Sequence, residues 1–377
     1  MKRIICIILA LCTISLVSAR AEDTLGDLNG KSLFLAEADS GSILYERNAD
    51  EKLPIASVTK IMTMLLVMEA VDSGKISLDD MVPVSERAMS MGGSTMFLET
   101  GEELSVNDML KGIAVASAND GAVAMAEFVG GSEAAFVEMM NNRAKELGME
   151  NTNFVNTNGL DDDNHYSTAR DVAAMSRELI KHKKIFEYTT IWTDSLRDGK
   201  FSLANTNKLI RFYSGANGLK TGSTSKALCC ISASAERDGM QLVAVVLGAP
   251  TSKERFAAAR GLLDYGFANY AAVKPMSAGG EAERISVLKG KEDTLQLVAK
   301  EDCTILLPKA RKNDIETKID IPDSVTAPIT AGETVGKIEF LLDGEVKKSV
   351  ELVAGAEVSK KNYFAFLGDV FRKWISC

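Results

Sequence analysis

Residues 54–70, PIASVTKIMTMLLVMEA, read as a helix of unbroken apolar character. A helix that is apolar all round belongs at the centre of a fold, with other elements packed on every side. Two residues near its start do not suit that place. Ser57 and Lys60 stand three apart on one helical face, so the lysine amine can reach the serine hydroxyl. A serine hydroxyl is a poor nucleophile until a neighbouring base takes its proton, and a lysine in apolar surroundings can be that base. The plain alternative is an N-cap serine beside a solvated lysine. The tetrapeptide alone does not choose between them.

The chain opens with Lys2 and Arg3, an apolar run over 4–11, and small residues ending at Ala19-Arg20-Ala21. This is the three-part pattern of a secretory signal over 1–21, with cleavage before Glu22. The run is too short to span a bilayer comfortably, which argues against an uncleaved anchor. The mature protein is therefore expected outside the cytoplasmic membrane. Loss of the signal removes Lys2, Arg3 and Arg20 and no acid, which moves the formal charge from −9 to −12. A surface that acidic argues against a nucleic-acid partner.

Cysteine and histidine usage narrows the chemistry further. Cys6 and Cys12 leave with the signal, Cys303 and Cys377 are far apart, and no Cys/His cluster occurs. A zinc site or a disulfide framework is not expected. Cys229 and Cys230 are adjacent in an apolar strand, so they face opposite ways and at least one is expected to be buried. Only two histidines exist, His165 and His182, which weakens any Ser-His-Asp scheme. His182, in IKHKKIF, reads as a solvated residue near a helix end.

Periodicity supplies the rest of the layout. SLFLAEA (32–38) and SILYER (42–47) form a predicted hairpin around Asp39-Ser40-Gly41. Residues 105–130 read as two helices interrupted at Ser117-Ala118-Asn119, and a further helix spans 133–147. Thr168 to Asp171 is a capping box for a helix reaching about residue 180. Strands follow at 218–223, 227–235 and 241–249, then a last helix near 253–269. The order predicts an α/β (α+β) domain over 22–271, an antiparallel sheet covered by helices from both chain ends. From 272 to 356 short strand-like pieces recur about every ten residues, which predicts a small all-β sandwich. Residues 357–377 put Tyr363, Phe366, Leu367, Val370, Phe371, Trp374 and Ile375 on one helical face with basic flanks. That composition suits an amphipathic anchor at a membrane surface, although a helix packed on the protein's own sandwich domain, or a dimer contact, would look the same.

Two downstream motifs give Ser57 its meaning. Ser117-Ala118-Asn119 presents a hydroxyl and an amide together, able to relay a proton and hold a substrate amide. Lys220-Thr221-Gly222 lies on a predicted strand, where a cation and a hydroxyl can bind a carboxylate and glycine lets substrate backbone approach. Each is common alone. All three in this order, each on the expected kind of element, are not.

With these motifs the chain resembles the low-molecular-mass penicillin-binding proteins of the serine-type D-alanyl-D-alanine carboxypeptidase family, which share Ser-x-x-Lys and Lys-Thr-Gly with class A β-lactamases. GSTMFLETGE (93–102), NTNGLDDDNHYSTARD (156–171) and DYGFANY (264–270) carry the likeness too, and it extends over nearly the whole chain. The resemblance implies a β-lactamase/DD-peptidase-like catalytic domain with a C-terminal β domain. It implies Ser57 as acylated nucleophile, Lys60 as general base, Ser117 as proton shuttle and Asn119 as a substrate-positioning amide. Lys220, Thr221 and Gly222 would receive the terminal carboxylate, with Arg255 near that pocket. The backbone N–H groups of Ser57 and Ser223 would form the oxyanion hole. Ser223 stands where some relatives have histidine, and Thr206 is the best match to an arginine that some relatives carry.

The implied reaction removes the terminal D-Ala from peptidoglycan pentapeptide stems through an acyl-enzyme, with no metal or cofactor. β-Lactams are the implied inhibitors, and the outer face of the cytoplasmic membrane is the implied attachment for residues 361–377. A class A β-lactamase would need a deacylating glutamate between the second and third motifs. The loop at 156–171 offers Asp161, Asp162, Asp163 and Asp171 but no glutamate. A non-catalytic wall-docking protein would be expected to have lost the nucleophile or its base.

Overall fold

The computed structural model describes Leu25 and residues 28–362. The expected signal and the amphipathic face over 363–375 lie outside the described residues. Among the described residues, no helix is long and apolar enough to cross a membrane. The chain divides into two compact units between Ala268 and Asn269, against an expected boundary after residue 271.

The first unit is built on five strands: β1 (Ser32–Glu37), β2 (Ile43–Arg47), β3 (Ala216–Thr224), β4 (Leu228–Arg237) and β5 (Met240–Ala249). Their order is β2-β1-β5-β4-β3, and every neighbouring pair is antiparallel. β1 and β5 are buried along their whole length because both faces are covered. Alternation decides which residue faces which layer. Phe34, Ala36, Val243 and Val245 join the large helical core. Leu35 and Leu242 point the other way, against Gly266 of the long helix Ser252–Asn269, where a Cβ would stand 2.5 Å from Leu242.

The 54–70 segment becomes a 3₁₀ turn, Ala56–Thr59, running directly into helix α1 (Lys60–Asp72). Ten residues of α1 are buried, Lys60 among them, so the solvated-lysine alternative fails. Ile61, Met62, Met64 and Leu65 are fully enclosed, each contributing about 1.5–3 kcal/mol on burial, which outweighs the cost of enclosing one amine held neutral. Around α1 pack α2 (Asn119–Gly130), Glu133–Glu146 and α3 (Ala169–Lys181), and Val106–Lys111 joins the same core. The expected interruption at 117–119 is a π-helical turn, Gly112–Ala116, that ends on Ser117 in a left-handed conformation (φ 66°).

Other details depart from the sequence reading. Two ribbons, Met81–Pro83 with Glu103–Ser105 and Thr193–Leu196 with Phe201–Ala204, were not expected. They are too short for period-two alternation to stand out. His182 is half-buried rather than solvated, and its Nδ1 lies 2.5 Å from Asp72. Cys230 is buried and Cys229 only partly so, and both are free, as is Cys303.

Among the described residues, the second unit is built of strands apart from a 3₁₀ turn, Lys309–Arg311. A six-stranded sheet runs Glu316–Asp320, Thr334–Leu342, Glu345–Ala354, Thr294–Ala299, Glu281–Leu288, Ser324–Thr326 in spatial order. A two-stranded ribbon, Tyr270–Met276 with Cys303–Pro308, shares its core through Ile305 and Leu307.

Candidate active site

Ser57 is presented by a strained turn. Ala56 has φ 48°, a left-handed backbone that a residue with a Cβ adopts at a cost of about 1–3 kcal/mol unless its surroundings impose it. Two glycines impose it. A Cβ on Gly222 would lie 2.8 Å from Ser57 N, and one on Gly159 would lie 1.9 Å from Ala56 O. The Ala56–Ser57 peptide is thus held between the β3 strand and the 156–164 loop, with no room for a side chain on either side.

Lys60 opens α1, and its Nζ is 2.9 Å from Ser57 Oγ, 2.6 Å from Asn119 Oδ1 and 2.7 Å from Asn158 O. The amine is fully enclosed, and burial pushes its pKa well below the usual lysine range. The positive charge of Lys220 pushes the same way, and Asp120 opposes both. A neutral amine has two N–H bonds and one lone pair. The two carbonyl oxygens take the N–H bonds, so the lone pair is left facing the serine hydroxyl. That is the geometry a general base needs.

Ser117 and Asn119 arrive together at the end of the π turn and the start of α2, both buried. Besides accepting from Lys60, the Asn119 amide donates to Gly92 O (2.7 Å), and its backbone N–H donates to Ser94 O (2.7 Å). Asn119 therefore orients the Lys60 amine and pins the 92–98 loop. Asp120, which the sequence reading passed over, finishes that loop. Its buried carboxylate accepts from the N–H groups of Met96, Leu98 and Gly121.

Lys220, Thr221, Gly222 and Ser223 follow one another along the edge strand β3. Lys220 is buried and donates to Thr221 O (3.0 Å); burial and the nearby Arg255 charge push its pKa down to about 7. Thr221 Oγ1 donates to Thr206 Oγ1 (2.7 Å), so the residue matched to a family arginine does stand beside the motif, as a hydroxyl. Ser223 pairs across the sheet with Cys229. Arg255, expected near the carboxylate pocket, stands beside the motif strand. Its buried guanidinium donates to Gly222 O (3.1 Å), Cys230 O (3.3 Å) and Ser252 Oγ (3.1 Å), bracing the strand that carries the motif. Besides Asp120, two participants went unassigned in the sequence: Asn158, through its carbonyl, and Gly159, through its missing Cβ. Their signal was the Asn-Gly pair in the 156–171 stretch.

Comparison with known proteins follows the same division of the chain. Residues 17–251 match the D-alanyl-D-alanine carboxypeptidase family model, and residues 270–360 match the C-terminal domain of penicillin-binding protein 5. The chain is 45% identical to D-alanyl-D-alanine carboxypeptidase DacF of Bacillus subtilis, over 91% of this chain and 90% of that protein. It is 35% identical to DacA of Haemophilus influenzae, over 94% and 93%. The crystal structure of penicillin-binding protein 5 from Haemophilus influenzae superposes with a TM-score of 0.75 at 33% identity, covering 89% of this chain and 98% of that one. With its motifs, its fold and these relatives in agreement, the chain belongs to the serine-type D-alanyl-D-alanine carboxypeptidase family.

Proposed function

We propose that this carboxypeptidase uses Ser57 as its acylated nucleophile and Lys60 as the base that activates it, on the pentapeptide stem of peptidoglycan. Ser57 Oγ attacks the carbonyl carbon of the penultimate D-Ala while its proton passes to Lys60 Nζ. The oxyanion forms between the N–H groups of Ser57 and Ser223. The C–N bond then breaks, Ser117 relays a proton to the leaving amine, and D-Ala departs. Water hydrolyses the ester and returns the serine. Lys220 and Thr221 hold the terminal carboxylate, Gly222 admits substrate backbone, Asn119 keeps Lys60 aligned, and Arg255 braces the strand.

The observation that carries this reading is the set of three partners around Lys60 Nζ, which leaves a neutral amine only one direction for its lone pair. Intact-mass spectrometry after brief exposure to benzylpenicillin tests it. Wild type should gain one adduct, mapped to Ser57, and Ser57→Ala should gain none. Absence of the adduct in wild type, with no D-Ala release from a diacyl-D-Ala-D-Ala peptide, would overturn it.

The export pattern and the amphipathic tail together support a peripheral attachment to the outer face of the cytoplasmic membrane through residues 361–377. Deleting that segment should move the protein from the membrane pellet to the supernatant with peptidase activity intact. Unchanged sedimentation would refute the attachment.

A further inference from the structure

A buried histidine stands behind the nucleophile turn, in a chain that has only two. His165 Nδ1 accepts a hydrogen bond from Val155 N–H (3.2 Å), and Nε2 lies 2.7 Å from Thr59 Oγ1. The ring is enclosed, edge-on to Phe154, and burial lowers its pKa to about 4. A neutral imidazole carries one N–H. Since Nδ1 is the acceptor, that proton is on Nε2, directed at Thr59. The Thr59 hydroxyl in turn donates to Ala56 O (2.8 Å).

Ala56 O and Ser57 N–H are the two ends of one planar peptide unit. Fixing the carbonyl end fixes the direction of the N–H end, and a hydrogen bond accepted by the C=O polarises the N–H into a better donor. We propose that His165 and Thr59 are positioning residues for the oxyanion hole, aligning and polarising the Ser57 N–H through Ala56 O. The relay also explains how Ala56 keeps its left-handed backbone: its carbonyl is gripped by Thr59 and walled by Gly159. The inference rests on Ser57 being the acylated residue.

The test compares Thr59→Val with Thr59→Ser, and His165→Asn with His165→Gln. Valine removes the hydroxyl at constant shape, and serine restores it. Asparagine keeps only the acceptor near Nδ1, whereas glutamine can return an N–H near Nε2. Benzylpenicillin acylation is resolved into its binding constant and its maximal rate, and the ester carbonyl stretch of the acyl-enzyme is read by infrared difference spectroscopy. Thr59→Val and His165→Asn should lower the maximal rate about tenfold, below the cost of deleting a hole donor outright, with the binding constant unchanged. The ester stretch should move to higher wavenumber. Thr59→Ser and His165→Gln should recover rate and frequency together. Wild type lacking acylation at Ser57 sinks the nucleophile and the relay alike. Normal wild-type acylation with the same rate and carbonyl frequency in Thr59→Val sinks the relay alone.

Discussion

Replacing Lys60 with arginine should slow acylation of Ser57 by about 10³-fold or more, as severely as replacing it with methionine. Arginine keeps a cation and several donors for Asn119 Oδ1 and Asn158 O, but it cannot be deprotonated and so offers no lone pair. Methionine supplies neither donor nor base. If Lys60 served only to organise the site or to hold positive charge, the two variants would part company and arginine would retain most of the rate. The measurement is the second-order acylation constant with benzylpenicillin, alongside circular dichroism to show that each variant is folded. Arginine activity within tenfold of wild type would falsify the base assignment. The pH profile should agree. Because Lys60 is depressed well below the usual lysine range, kcat/KM should climb on the acid side as the amine loses its proton, at a pH far below that of a free lysine.

The sequence carried the frame of this site but not its support. Ser57, Lys60, Ser117, Asn119 and the Lys220–Ser223 strand are legible because their chemistry lives in side chains, or in glycine at a known register. The supporting groups are of another kind. Asn158 acts through a backbone carbonyl, which no residue type announces. Gly159 acts through the atom it lacks, against a carbonyl brought near only by the tertiary fold. Asp120 looks like an ordinary acid in the first turn of a helix until three N–H groups are seen to converge on it. The scarcity of histidine argued against a Ser-His-Asp scheme, and the same argument hid His165, which reaches Ser57 by way of Thr59 and Ala56 O. At the level of elements, long apolar strands and capped helices were readable from 3.6- and 2-residue periods. The two short ribbons were not, since three or four residues cannot display a period. Arg255 shows the limit of matching by motif. The match gives only a place in the chain, while the fold shows its three hydrogen bonds going to strand carbonyls and Ser252.

Lys220 differs from Lys60 in what surrounds it, and the difference separates binding from stability. Lys60 Nζ has three hydrogen-bond partners, whereas among the described residues Lys220 Nζ has a single acceptor, the carbonyl of its own neighbour. A buried cation with so little compensation destabilises the fold while it waits for a carboxylate. Lys220→Met should therefore raise Tm by several degrees and yet lower kcat/KM for a D-Ala-D-Ala peptide by about 10²–10³-fold, since a desolvated charge contact is worth a few kcal/mol. The loss should appear mainly as a raised KM, and a peptide amidated at its C-terminus should discriminate poorly between the two enzymes. The folded pKa, about 7, lies below the unfolded value of 10.5, so the unfolded state binds more protons between them. Wild-type stability must then rise with pH across that window, and Lys220→Met should lack the rise. Catalysis should run the opposite way: as pH passes about 7 the free enzyme loses the cation proposed to receive the carboxylate, and kcat/KM should fall. Lys220→Arg keeps its charge at every accessible pH, so it should carry the alkaline limb several units upward. An alkaline limb that stays in place in Lys220→Arg would show that another group sets it and that Lys220 does not bind the carboxylate as a cation.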